Sequence, residues 1–133
     1  MPNDQEMKDA LREEFKHQIN LWNATNYDKL AERFDENIIM KKLDDPGSVI
    51  GIGNVLAYLN KNQKSKAPQF TLDDIQDVFI WGAGTIAQVV GTATYQDRRT
   101  QTPTTEVRFV FTYSRSSVHD DWLMVNAFQA RRA

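Results

Sequence analysis

Residues 104–132 read TTEVRFVFTYSRSSVHDDWLMVNAFQARR, and this stretch decides the fold. Two runs rich in β-branched and aromatic residues, about Thr104–Arg115 and Asp121–Arg131, flank the polar segment Ser116–Asp120. That is the pattern of a long β-hairpin. Upstream, Gln69–Trp81 and Thr85–Asp97 have the same character, with Gly82-Ala83-Gly84 between them and Asp97–Pro103 leading into the third run. Glycine-rich and short polar connections suit hairpin turns. Four long strands on short loops form a meander that has to curl to cover its own apolar face.

The first half of the chain supplies the cover. Met7, Leu11, Phe15, Ile19 and Trp22 recur at spacings of three and four, which predicts a helix over about Asp4–Asn23 with one apolar stripe. Asp4 is the expected cap, and Glu6 and Asp9 suit the positive end of the helix dipole. Asn23-Ala24-Thr25-Asn26 breaks the helix, and a second one is expected from Tyr27 to about Phe34. Ile38–Leu43 is a candidate short strand, Asp45-Pro46-Gly47 a turn, and about Gly53–Asn62 a third helix. Helices first and strands second mark the α+β class. A single domain over 1–133 is expected, with three N-terminal helices packed on a curved, mostly antiparallel sheet.

Composition bounds the function. Sixteen Lys and Arg against 18 Asp and Glu give a net charge of -2, which argues against a nucleic-acid grip. The chain has no cysteine, so disulfides, thiolate nucleophiles and zinc–thiolate centres are excluded. His17 and His119 stand alone, with no ligand spacing around them, and no metal or cofactor is expected. No long apolar run is present, so no membrane partner is expected and a cytoplasmic location is the default. The basic stretches Lys61–Lys66, Arg98-Arg99 and Arg131-Arg132 read as solvated loops and ends.

The facing of the last two strands is the open question. Val107, Phe109, Phe111 and Tyr113 alternate with Arg108, Val110, Thr112 and Ser114. Trp122, Met124, Asn126 and Phe128 alternate with Leu123, Val125, Ala127, Gln129 and Arg131. Neither strand separates apolar from polar, so both faces should be covered, one by the helices and one by a second subunit. A cavity favours small side chains with a few polar groups aimed inward. On that reasoning the small set, with Arg108 and Gln129, faces the interior, and the aromatic set faces a homodimer partner across the sheet. The competing arrangement puts the aromatics under the helices and leaves Arg108 at the surface or in an ion pair with Glu106.

The order of elements resembles the nuclear transport factor 2-like superfamily, which includes ketosteroid isomerase, the SnoaL-type polyketide cyclases and the association domain of calcium/calmodulin-dependent kinase II. The resemblance is carried by LWNATNYDKLAERFDENI (21–38), DDPGSVIGIGNVLAYL (44–59) and the two closing strands, with Trp122 opening the last. It implies a cone: a bent sheet around a long helix, with an open-ended internal pocket and dimerisation through the outer sheet face. It also implies a pocket protein for a small hydrophobic or carboxylate-bearing molecule, acting as a cofactor-free isomerase, cyclase or dehydratase by acid–base chemistry. The alternative is a non-catalytic association module.

Trp22 and Tyr27 fall where the cone's mouth would be, and Tyr95 shares a small-residue face with Ala93, Gly91 and Val89. Arg108 lies near one pocket arginine of the kinase association domain, and Gln129 near another, where that family carries arginine. A third falls on Gly91. Trp22, Tyr27, Tyr95, Arg108 and Gln129 are therefore the candidate ligand-binding residues. Asp45 before Pro46 resembles the catalytic Asp-Pro of ketosteroid isomerase, but the expected tyrosine falls near Gln18 and the expected acid is not found. No catalytic residue is assigned.

Overall fold

The computed structural model describes residues 3–42, 47–63, 68–98, 100 and 102–131. Helix α1 (Asp4–Asn23) buries Leu11, Phe15 and Gln18, with Ile19 and Trp22 packed at its margin. Asn3, not Asp4, is its cap: the Asn3 side chain accepts from the Glu6 backbone N–H at 2.8 Å, and its own amide donates to the Glu6 carboxylate. The reciprocal arrangement is related to a capping box.

Helix α2 (Tyr27–Ala31) is shorter than the sequence suggests. Phe34, expected at its end, instead opens strand β1 (Phe34–Lys41), because the Met124 N–H bonds to the Arg33 carbonyl and draws the chain onto the last strand. Strand β2 (Ser48–Ile50) pairs antiparallel with β1, and helix α3 (Ile52–Tyr58) follows, its last turn widening into a π-helical turn over Leu59–Gln63. The long strands are β3 (Gln69–Trp81), β4 (Ile86–Gln96), β5 (Pro103–Ser114) and β6 (Leu123–Arg131).

The six strands form one sheet in the order β2-β1-β6-β5-β4-β3. All neighbours are antiparallel except β1 and β6, which run parallel. Register shifts between Leu72 and Asp74 and between Ile75 and Asp77 in β3 break the pairing with β4, and such bulges bend a strand. The sheet carries the helices on one face, and the core lies between them.

The strand facing inferred for β5 is reversed. Val107, Phe109 and Tyr113 are buried, whereas Arg108 and Val110 are exposed on the outer face. The reason is volume: Phe15 of α1 packs at 5.2 Å from Phe109 and 5.5 Å from Phe111, so large rings fill the space beneath the helix. On β6 neither expected set survives. Thr112 pairs with Asn126 and Tyr113 with Met124, which leaves Val125 as an extra residue in the ladder. That bulge shifts the alternation, so Met124 from one set and Ala127 and Gln129 from the other line the same cavity beneath α1.

Candidate functional site

The space beneath α1 is a half-open cavity of about 70 Å³. Its walls are mostly apolar, among them Phe15, Ile19 and Leu30 from the helices and Phe34, Phe70, Phe111, Met124 and Ala127 from the sheet. On the scale where about 10–15 Å³ admits one water, it has room for several waters or a fragment-sized molecule. Polar groups reach it at Gln18, Gln129, Tyr95 and Tyr58, and Lys41 is the charged side chain in its described lining.

At one end Gln18 belongs to a buried chain. The Tyr113 hydroxyl donates to Gln18 Oε1 at 3.1 Å, Gln18 Nε2 donates to Glu14 Oε2 at 2.9 Å, and Glu14 is held by the two-pronged guanidinium of Arg33. Burial, helped by the Glu14 charge, pushes the Tyr113 phenol well above its ordinary value. At the other end Tyr95 donates to Gln129 Oε1 at 2.5 Å. Burial pushes its phenol up too, against the pull of that hydrogen bond.

Of the five candidate residues, Trp22, Tyr95 and Gln129 meet in the cavity lining. The Trp22 indole N–H donates to the Pro68 carbonyl at 3.2 Å, which fixes the ring as a wall. Tyr27 is not in the lining; it is buried behind Trp22, with ring centroids 5.6 Å apart. Burial raises its phenol, opposed by the nearby Arg98 charge. Arg98 is not the solvated loop residue expected of it, because it donates to the carbonyls of Asn23 and Trp22 at the end of α1. The Trp22 carbonyl also accepts from the Thr25 N–H just past the helix, so Arg98 adds a second tie at the helix end, where a cation suits the dipole. Arg108 is excluded from the cavity: it pairs across with Ala130 and Thr92 on the outer face, one residue out of phase with Phe109.

Gln18, Lys41 and Tyr58 were not singled out from sequence. Gln18 had a legible signal, since it sits three residues after Phe15 on an otherwise apolar stripe, where a polar side chain needs a buried partner. His17 and His119 are exposed, and Asp45 lies outside the described residues. Among the described residues no three His, Cys, Asp or Glu side chains gather as a metal site, and no helix is long and apolar enough to cross a membrane.

The outer sheet face has its own character. Phe79, Trp81, Ile86, Val110 and Phe128 are exposed there, and Phe79 stacks on Trp81 with centroids 5.7 Å apart. Of the aromatics expected on that face from the sequence, Phe128 is there, whereas Phe109, Tyr113 and Trp122 are buried inside.

No protein-family model matches the chain, and neither does any curated protein. Solved structures do match. A nuclear transport factor 2-like protein with a cystatin-like fold from Novosphingobium aromaticivorans superposes with a TM-score of 0.77 at 14% identity, over 96% of this chain and 82% of the other. The fold is that of the nuclear transport factor 2-like proteins. Two further neighbours of this fold are similar to the chain. A calcium/calmodulin-dependent protein kinase II association domain from Xanthomonas campestris has a TM-score of 0.75 at 14% identity, over 92% and 85%. A Catenulispora acidiphila protein in complex with S-DNPA has a TM-score of 0.72 at 11% identity, over 91% and 90%. The nuclear transport factor 2-like cone accounts for the placement of α1 over the sheet and for the space left beneath it.

Proposed function

We propose that this chain binds a small, largely apolar molecule in the cavity beneath α1. One observation supports the reading most: an apolar space with oriented polar groups at its ends, the usual make-up of a small-molecule site. The ligand-bound Catenulispora neighbour offers support by fold analogy only. The described lining offers no carboxylate or imidazole to move a proton at neutral pH, which favours binding over an acid–base reaction. Trp22, Tyr95 and Gln129 are the contact residues in this reading, and Lys41 favours a carboxylate-bearing ligand.

Filling the space tests it. Ala127 is buried against the cavity, so Ala127→Leu occupies it from the wall. Titration calorimetry with benzene-sized probes should show binding to the native chain and a loss of roughly tenfold or more in the variant, the loss of one well-filled apolar contact. Equal binding by both proteins would end the proposal.

A second reading, association of two copies through the sheet, is favoured by the exposed cluster of Phe79, Trp81, Ile86, Val110 and Phe128. Contiguous exposed apolar side chains commonly mark an interface, and a self-complementary one gives a two-fold dimer. Sedimentation at micromolar concentration should give a dimer, and the pair Trp81→Lys, Val110→Lys should give a folded monomer. A native monomer would count against this reading and leave the cavity untouched.

A further inference from the structure

Both cavity amides are turned by their neighbours, and the direction of that turn bears on what the cavity accepts. Gln18 is only 3% exposed, so its orientation is set by protein partners. The Glu14 carboxylate, paired with Arg33, is an acceptor alone, and it sits 2.9 Å from Gln18 Nε2. A flipped amide would set carbonyl against carboxylate. Gln18 Oε1 therefore meets Tyr113, and that hydroxyl donates.

Gln129 is held the same way at the other end. The Tyr95 hydroxyl donates to its Oε1, and the amide Nε2 has no hydrogen-bond partner among the described residues. Reversing this amide would strip the buried Tyr95 hydrogen of its acceptor, which costs free energy in a nonpolar setting. Trp22 does not compete, since its N–H is taken by Pro68. Lys41 adds a further donor to the lining. The hydrogen-bonding capacity these groups leave unused is thus weighted toward N–H.

Resting on the binding reading above, we propose that the ligand is an apolar body ending in an acceptor oxygen, a carbonyl or a carboxylate, received by the Gln129 amide N–H. Tyr95 is the positioning residue that keeps this amide turned toward the ligand. Gln18, already bonded to Glu14 and Tyr113, anchors the Tyr113 end of the cavity.

Four probes on one ring test it: acetophenone, benzoate, benzylamine and ethylbenzene, each titrated calorimetrically into the intact chain. At least one oxygen-bearing probe should bind about fivefold or more tighter than both benzylamine and ethylbenzene, the worth of one net hydrogen bond. Acetophenone ahead of benzoate assigns a neutral carbonyl, and the reverse order assigns a carboxylate. Tyr95→Phe removes only the hydroxyl and frees the amide to rotate. It should shrink the preference over benzylamine to within about twofold, an effect that the Lys41 charge cannot mimic. Gln129→Leu should abolish the preference over ethylbenzene. Benzylamine or ethylbenzene binding as tightly as the oxygen-bearing probes overturns the proposal and spares the binding reading. So does a Tyr95→Phe variant with its preference intact. Binding of no probe at all overturns both.

Discussion

Gly91→Ala should destabilise the chain by about 3 kcal/mol or more, the upper range for forced overpacking of a core. Gly91 lies in the middle of β4, paired with Ile75 on one side and Phe109 on the other. A Cβ there would stand 2.2 Å from the Asp74 carbonyl oxygen and 2.7 Å from Phe109 Cζ. A flexible side chain tip can yield a few tenths of an ångström, but the Asp74 carbonyl belongs to the bulged segment of β3 and moves only with its strand. The Phe109 ring is pinned as well, between Phe15, Phe70 and Phe111. The methyl group therefore has to push β3 off β4 or displace a ring packed at the centre of the aromatic core. Guanidinium unfolding followed by tryptophan fluorescence measures the loss. A variant within 1 kcal/mol of the native chain would mean that β3 does not approach β4 this closely.

The same glycine shows why part of the fold was legible and part was not. The hairpins could be read because their turns carry chemical marks, Gly82-Ala83-Gly84 above all, where Gly82, Ala83 and Gly84 all take positive φ. The helix α1 was legible because its stripe is long. The bulges have no such marks. Val125 is an ordinary strand residue, yet its insertion decides that Ala127 and Gln129 face the cavity. Arg108 was placed inward on the argument that a pocket wants small neighbours. The rings of Phe109 and Phe111 instead reach α1, and Phe111 lines the cavity, so volume under the helix outweighs the polarity of one residue. The parallel pairing of β1 with β6 was equally hidden, because it joins segments some 90 residues apart, roughly the span from Phe34 to Met124. Gln18 is the counterexample: its position in the apolar stripe announced a buried partner, although not which one.

Buried phenols predict a steep loss of stability in alkali. Tyr95 and Tyr113 keep their protons in the folded chain because burial disfavours the phenolate, and Tyr113 also faces the Glu14 charge. In the unfolded chain both titrate near the ordinary tyrosine value of about 10. Above that pH the unfolded state binds fewer protons than the folded one, so unfolding becomes easier as pH rises. Below about pH 10 both states hold the protons and the two groups contribute no slope. Each tyrosine contributes up to about 1.4 kcal/mol per pH unit, so the pair should give a slope approaching 2.7 kcal/mol per unit above pH 10.5. Guanidinium midpoints from pH 9 to 11.5 should show a plateau and then this fall. Tyr113→Phe separates the two sites. At neutral pH it should be less stable by about 1–3 kcal/mol, since Gln18 Oε1 loses its buried donor. Above pH 10.5 its slope should be shallower than that of the native chain by up to about 1.4 kcal/mol per unit, so the two curves converge as alkali increases. Parallel curves would mean that Tyr113 titrates alike in both states, and the buried relay from Tyr113 through Gln18 to Glu14 would then be open to water.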